Sequence, residues 1–204
     1  MRETDVLIVG AGPTGLSLAC QLIRYGIDFV LLDKKETTTP YSRAIGVQAR
    51  TLEIYEQIGL AKNLIALGKP AEMVRLIESG EVRGEAVLKD LGAGLSPYPY
   101  MLVVDQGLHE GLLDKYIVSH GRSADWQTQL DSFEQDATGV TAVTTNGSGV
   151  SETIRAKYLV GCDGAKSQVR HTLGLTFEGD TVERLFYVAD VRIDWQYSHE
   201  ALHV

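Results

Sequence analysis

Three glycines and two aspartates carry the chemistry most clearly written in this chain. Gly10, Gly12 and Gly15 form Gly-x-Gly-x-x-Gly within VLIVGAGPTGLSLACQLIRYG, which begins at Val6. Gly10 permits a tight turn out of a strand. Gly12 has no Cβ to hold the backbone away from a pyrophosphate, and Gly15 lets the following helix pack close. Pro13 stands at the expected helix start, where its missing N–H costs nothing and its fixed φ fits; Thr14 follows it. The free N–H groups and the dipole at that helix start make an anion site suited to a diphosphate. Asp33 closes a second apolar run, FVLL, 18 residues after Gly15. A carboxylate there accepts hydrogen bonds from the ribose hydroxyls of an adenosine; Lys34 lies beside it. A glycine-rich turn alone also fits an ordinary strand–turn–helix corner, and a strand-ending acid also fits a solvated charge. Strand before, helix after and acid beyond together argue for an adenine dinucleotide.

The second aspartate, Asp163, lies about 150 residues downstream in YLVGCDGAKSQVRHTLG, paired with Gly164. An apolar strand delivers the pair to a turn, and a short helix with Ser167 and Arg170 follows. This puts an acid and a flexible backbone at the carboxyl end of a strand, where open α/β sheets bind ligands. Spacing alone says no more than that.

These residues need a frame. Residues 1–33 read as a β-α-β unit: VLIV suits a strand buried on both faces. Leu16, Ala19, Leu22 and Ile23 have helical spacing, and Gly26 is a stop. Residues 34–46 read as loop. A helix lies in 47–66, with Gly59 as its stop. Residues 72–90 read as two strands around Ser79-Gly80, 91–99 as loop, 100–104 as a strand and 107–119 as a helix. Three strands at 126–134, 139–145 and 151–160, with turns at Asp136–Gly139 and Asn146-Gly147, form a meander that returns to Tyr158. A short helix near 166–173 and a strand near 186–195 complete the reading.

The 204 residues carry 44% hydrophobic and 23% charged residues, ordinary for a globular protein. A net charge of −8 disfavours nucleic acid and anionic membranes as partners. Cys20 and Cys162 have no metal or disulfide spacing and read as small buried residues. No run reaches membrane-spanning length and no leader fits before the first strand, so a reducing cytoplasm is the expected setting. The five histidines form no cluster with acids or cysteines, and Trp126 reads as a packing residue.

Taken together, the motifs resemble the single-component flavoprotein aromatic hydroxylases, of the para-hydroxybenzoate, phenol and polyketide hydroxylase type, over nearly the whole chain. The first motif fits with Asp33 where the family more often has Glu. SRAIGVQARTLEIYEQIGL resembles a segment whose arginine, here Arg43, lies near the flavin and its diphosphate. CDGAKSQVR resembles the family's Asp-Gly fingerprint, implicated in FAD and NAD(P)H binding. Gln106, at the head of QGLHEGLLDKY, resembles a glutamine near the flavin's ribityl chain; by itself it reads as a helix-capping residue. Arg43 by itself reads as a solvated loop charge. With Leu130 in the first meander strand, the candidate cofactor set is Gly10, Gly12, Pro13, Thr14, Gly15, Asp33, Lys34, Arg43, Gln106, Leu130, Asp163 and Gly164.

The resemblance implies an α/β fold: a Rossmann-like FAD-binding domain with a parallel sheet, a three-stranded antiparallel meander and the beginning of a substrate-domain sheet. It implies a domain over 1–180, with inserted strands at 72–104, and the start of a second over 181–204. NAD(P)H would reduce FAD, and a flavin C4a-hydroperoxide would hydroxylate a small aromatic substrate; no catalytic side chain is named. A family segment around the riboflavin half of FAD has no counterpart here, so the chain is expected to hold the adenosine-diphosphate half and to self-associate through apolar surface. Two alternatives stand: a FAD- or ADP-binding module without hydroxylation of its own, and another two-dinucleotide flavin enzyme such as a halogenase.

Overall fold

A computed structural model describes the chain except for residues 41–45, 91, 181, 186–188, 190, 195–196 and 200. In chain order the elements are β1 (Arg2–Val9), α1 (Pro13–Tyr25), β2 (Phe29–Leu32), β3 (Gly46–Val47), α2 (Ala49–Glu56), α3 (Ala61–Leu67) and β4 (Lys69–Ala71). Then come β5 (Met73–Glu78), β6 (Glu81–Val87), β7 (Met101–Val103), α4 (Gln106–Ser119), β8 (Thr128–Asp136), β9 (Gly139–Asn146), β10 (Ser151–Gly161), α5 (Gln168–Thr172) and β11 (Ala201–His203). The chain divides into two compact units, residues 1–40 with 109–180 and residues 41–108 with 181–204.

The first unit is built on a sheet of order β2-β1-β10-β9-β8. The apolar ends of β1 and β2 run parallel, Val6 opposite Phe29 and Val9 opposite Leu32. Both are buried, as continuous apolar runs in a two-sided sheet must be. β10 joins this parallel part to the meander: Ile154, Arg155 and Ala156 face Arg2, Glu3 and Thr4 of β1 on one side and Ala142, Thr141 and Val140 of β9 on the other. The meander strands fall within two or three residues of the sequence reading. Its turns close as their residue types require: Asp136 Oδ1 accepts the Thr138 N–H at 2.7 Å, and Asn146 Oδ1 accepts those of Ser148 and Val150 at 3.0 Å. Leu7, Val9, Val30, Leu32, Ile154 and Val169 form one core. α1 lays Leu16, Ala19, Cys20 and Leu22 inward and stops at Gly26, whose φ of 66° is left-handed.

In the second unit, β5 and β6 form the expected hairpin. Ser79 and Gly80 both have positive φ, 54° and 81°, the backbone of a type I′ turn. β11 adds parallel to β5, and β3, β7 and β4 make a separate small sheet. The expected 47–66 helix breaks at Gly59 (φ 75°) into α2 and α3. β3 and β4 were not foreseen, because two or three residues are too short to show a period. The expected strand at 186–195 falls partly outside the described residues. Val191–Asp194 are no strand, Val191 and Ile193 being exposed; β11, which pairs with β5, was not foreseen.

Candidate functional site

The two glycine-bearing turns meet in the first unit. Gly10 leaves β1 with φ 105° and donates its N–H to Leu32 O at 2.8 Å, which ties the turn to β2. A Cβ at Gly10 would strike the carbonyl oxygen of Cys162 and stand 2.9 Å from Asp163 Cα. A Cβ at Gly15 would strike the carbonyl oxygen of Gly10 and come within 3.3 Å of Cys162 Cβ. The first glycine is therefore demanded by packing between the two motifs, and the third chiefly by the turn's own Gly10 carbonyl, with Cys162 close behind. Gly12 differs: it caps α1 with φ −84° and ψ −174°, which any residue adopts, and a Cβ there would meet nothing within 4 Å. Its missing side chain leaves open space at the N-terminus of a 13-residue helix. Pro13 is the first helical residue and Thr14 is exposed beside it.

Asp33 is buried at the end of β2. Its Oδ2 accepts the Ala11 N–H at 2.7 Å and its Oδ1 accepts the Lys35 N–H at 2.9 Å. The acid thus fixes the turn between Gly10 and Gly12, and each oxygen keeps a further lone pair. Lys34 is exposed. Lys35 turns back instead: its Nζ lies 3.8 Å from Asp33 Oδ2, donates to Ala11 O at 3.5 Å and lies 5.7 Å above the half-buried Trp126 ring. The alternation of side chains leaving a strand could have favoured Lys35 over Lys34.

Asp163 sits where β10 ends. Its Oδ2 accepts the Val169 N–H at 3.1 Å near the start of α5, while Ser167 Oγ caps the Arg170 N–H at 3.0 Å. Asp163 Oδ1 is buried and has no hydrogen-bond partner among the described residues. A buried carboxylate oxygen without a donor is a site for one. Gly164 follows with φ 79° and open space around it. Cys162 is half-buried, a correction to the buried reading, because its backbone rather than its thiol makes the contact with Gly10. Cys20 is fully buried, and burial pushes its thiol up to about 12.

Arg43 falls outside the described residues. Gln106 is the first helical residue of α4 and not the cap, since Asp105 Oδ1 accepts the Leu108 N–H at 3.0 Å. Leu130 packs its side chain into the core beside Leu32 and Ile154. Glu110, which sequence reasoning missed, is buried on α4; an acid in helical register with Leu113 and Ile117 was the available signal. No group of three metal-ligating side chains exists among the described residues, and no described helix is long and apolar enough to cross a membrane.

The open cradle at Gly12, the strand-end acid and the orphaned Asp163 oxygen fit an elongated ligand with a diphosphate and hydroxyl donors. Comparison with known proteins agrees. A family described as "FAD binding domain" matches residues 3–203. The chain is 36% identical over 197 residues to a flavin-dependent monooxygenase of Mycobacteroides abscessus, covering 93% of this chain and 41% of that protein. It is 36% identical over 195 residues to a 12-dehydrotetracycline 5-monooxygenase/anhydrotetracycline 6-monooxygenase of Streptomyces rimosus, covering 96% and 37%. Among solved structures it is similar to the flavin-dependent monooxygenase PieE in complex with FAD and substrate, with a TM-score of 0.82 and 30% identity over 87% of this chain and 33% of that one. The chain thus spans well under half the length of these relatives.

Proposed function

Because the chain belongs to the FAD-binding domain family, we propose that it is the FAD-binding part of a NAD(P)H-dependent flavoprotein monooxygenase that hydroxylates a small aromatic substrate, phenolic or polyketide. The observation that carries this is the interlock of the two motifs, with Gly10 seated on the Cys162–Asp163 backbone. It brings the Asp163-Gly164 turn against the turn that leads into the anion-binding start of α1. Bound FAD would supply the redox chemistry, accepting reducing equivalents from NAD(P)H and activating oxygen. The chain's residues would bind and orient it. The Gly12 backbone and the start of α1, with Pro13, Thr14 and Gly15, hold the diphosphate. Asp33 offers its spare lone pairs to the adenosine ribose, flanked by Lys34. Asp163 Oδ1, beside Gly164, accepts from a ligand hydroxyl. Arg43 and Gln106 serve the flavin side, and Leu130 backs the groove from the core.

The substrate class rests on similarity to proteins named for tetracycline-type and pentachlorophenol substrates. The reading also keeps a FAD domain over 1–180 with strands inserted at 72–104, and the start of a substrate domain over 181–204. Two unbridged cysteines fit a reducing cytoplasm, the acidic balance fits a chain that binds neither nucleic acid nor membrane, and exposed Leu175 and Phe177 fit self-association. A second reading, a FAD- or ADP-binding module without hydroxylation of its own, is supported by the Gly12 cradle and Asp33, groups suited to an ADP moiety. Calorimetric titration with FAD and ADP tests the binding claim; no heat with either ligand overturns it. Oxygen uptake with NADPH and a panel of phenols then separates the two readings.

A further inference from the structure

Glu110 is 1% exposed and lies on the same face of α4 as Leu113 and Ile117. A carboxylate withdrawn from water this completely is costly unless it is partnered. Two of its partners lie in the segment that leaves β2. Glu110 Oε2 accepts the Thr39 N–H at 2.7 Å and stands 3.7 Å from Lys35 Nζ. Lys35 continues the connection: its N–H goes to Asp33 Oδ1, its ammonium to Ala11 O, and Asp33 Oδ2 takes the Ala11 N–H. A continuous polar chain therefore runs from α4 through residues 35–39 to the acid at the end of β2, and on to the residue between Gly10 and Gly12.

We propose that Glu110 is a positioning residue for the ADP half of the cofactor site: it pins the 34–40 segment through Thr39 and Lys35, so that Asp33 and the glycine turn stand ordered before ligand arrives. The inference rests on the reading above that this turn and Asp33 hold ADP. Its physical basis is preorganisation. Seven residues without regular structure would otherwise be ordered at the expense of binding energy. Glu110 touches neither the turn nor the strand-end acid directly in its described contacts, so its effect passes through Lys35 and Thr39. The Lys35 ammonium also stands between two carboxylates, Asp33 and Glu110, and offsets their mutual repulsion at a site meant to receive a diphosphate.

The test uses the 204-residue chain with Glu110→Gln, Glu110→Ala and, as a control, Leu113→Ala, which removes buried apolar volume from the same helix without touching the polar chain. ADP and FAD are titrated by calorimetry, well below each variant's Tm. Amide hydrogen exchange is followed at Thr39 and Lys35 without ligand. Glu110→Gln keeps the shape and an acceptor but loses the charge facing Lys35; its Kd for ADP rises about tenfold, and that of Glu110→Ala rises about tenfold to a hundredfold. The Thr39 amide exchanges faster in both, and slower again when ADP saturates. Leu113→Ala lowers Tm but leaves Thr39 protection and the ADP Kd within about twofold of wild type. Glu110→Gln binding ADP like wild type overturns the proposal, and so does Leu113→Ala losing as much affinity at equal Tm. Where Glu110→Ala does not fold, Glu110→Gln decides. A wild-type chain that binds neither ligand instead removes the reading on which the inference rests.

Discussion

Gly10 and Gly12 stand two residues apart in one motif, yet the structure assigns them opposite sensitivities. Gly10→Ala puts a side chain at φ 105°, against the Cys162 carbonyl and 2.9 Å from Asp163 Cα. The backbone conformation costs about 1–3 kcal/mol, and forcing apart two fixed backbones costs about 1–3 kcal/mol more. About 4 kcal/mol is a large share of the 5–15 kcal/mol typical of a folded domain. For a chain of this length it lowers Tm by roughly 10 °C. Gly12→Ala has an ordinary φ and open space, so its stability stays within about 1 kcal/mol of wild type. Its methyl group, however, occupies the cradle that the diphosphate needs. A loss of about 2 kcal/mol, roughly thirtyfold in ADP affinity, is the expected minimum. Circular dichroism melts without ligand and calorimetric ADP titration separate the two effects. Gly12→Ala binding ADP with wild-type affinity refutes the cradle, and Gly10→Ala melting with wild type refutes the interlock.

Asp33→Ala leaves the Ala11 and Lys35 N–H groups without their acceptor and weakens ADP by about 1–3 kcal/mol; an unchanged ADP titration removes its ribose role. Asp163→Ala deprives the Val169 N–H of its acceptor, costs about 1–3 kcal/mol of stability and weakens FAD; an unchanged FAD titration removes Asp163 from the cofactor site. Burial raises the Cys20 thiol from 9.0 to about 12, so the unfolded chain loses its proton first. Stability falls as pH rises between those values, a decline that Cys20→Ala flattens in urea melts taken from pH 8 upward. Burial lowers His109 below its usual 6.5, with Glu110 opposing more weakly. Its neutral form is favoured in the fold, so stability declines as pH falls below about 6.5, and His109→Gln removes that component of the acid limb.

The parts of this protein legible in the sequence are those set by local chemistry. Two continuous apolar runs specify parallel strands buried on both faces. Asn146 specifies a turn through its side-chain acceptor, Ser79-Gly80 through the glycine's tolerance of positive φ, and Gly-x-Gly-x-x-Gly specifies a strand–turn–helix corner. The meander strands and α5 follow from the same signals. The second unit's short β3, β4 and β11 have too few residues to carry a period; whether such short strands form depends on a partner edge, which sequence does not display. Only the tertiary structure decided that Gly10 answers to Cys162 and Asp163, some 150 residues away, while Gly15 answers first to the Gly10 carbonyl and Gly12 to open space. It also decided that Asp33 spends hydrogen bonds on Ala11 and Lys35, that Lys35 rather than Lys34 turns toward the site, and that Glu110 is buried. The contacts between remote residues follow from how β10 lies beside β1 and how α4 packs, which no local preference encodes; the turn of Lys35 and the burial of Glu110 had only the weak local signals of side-chain alternation and helical register.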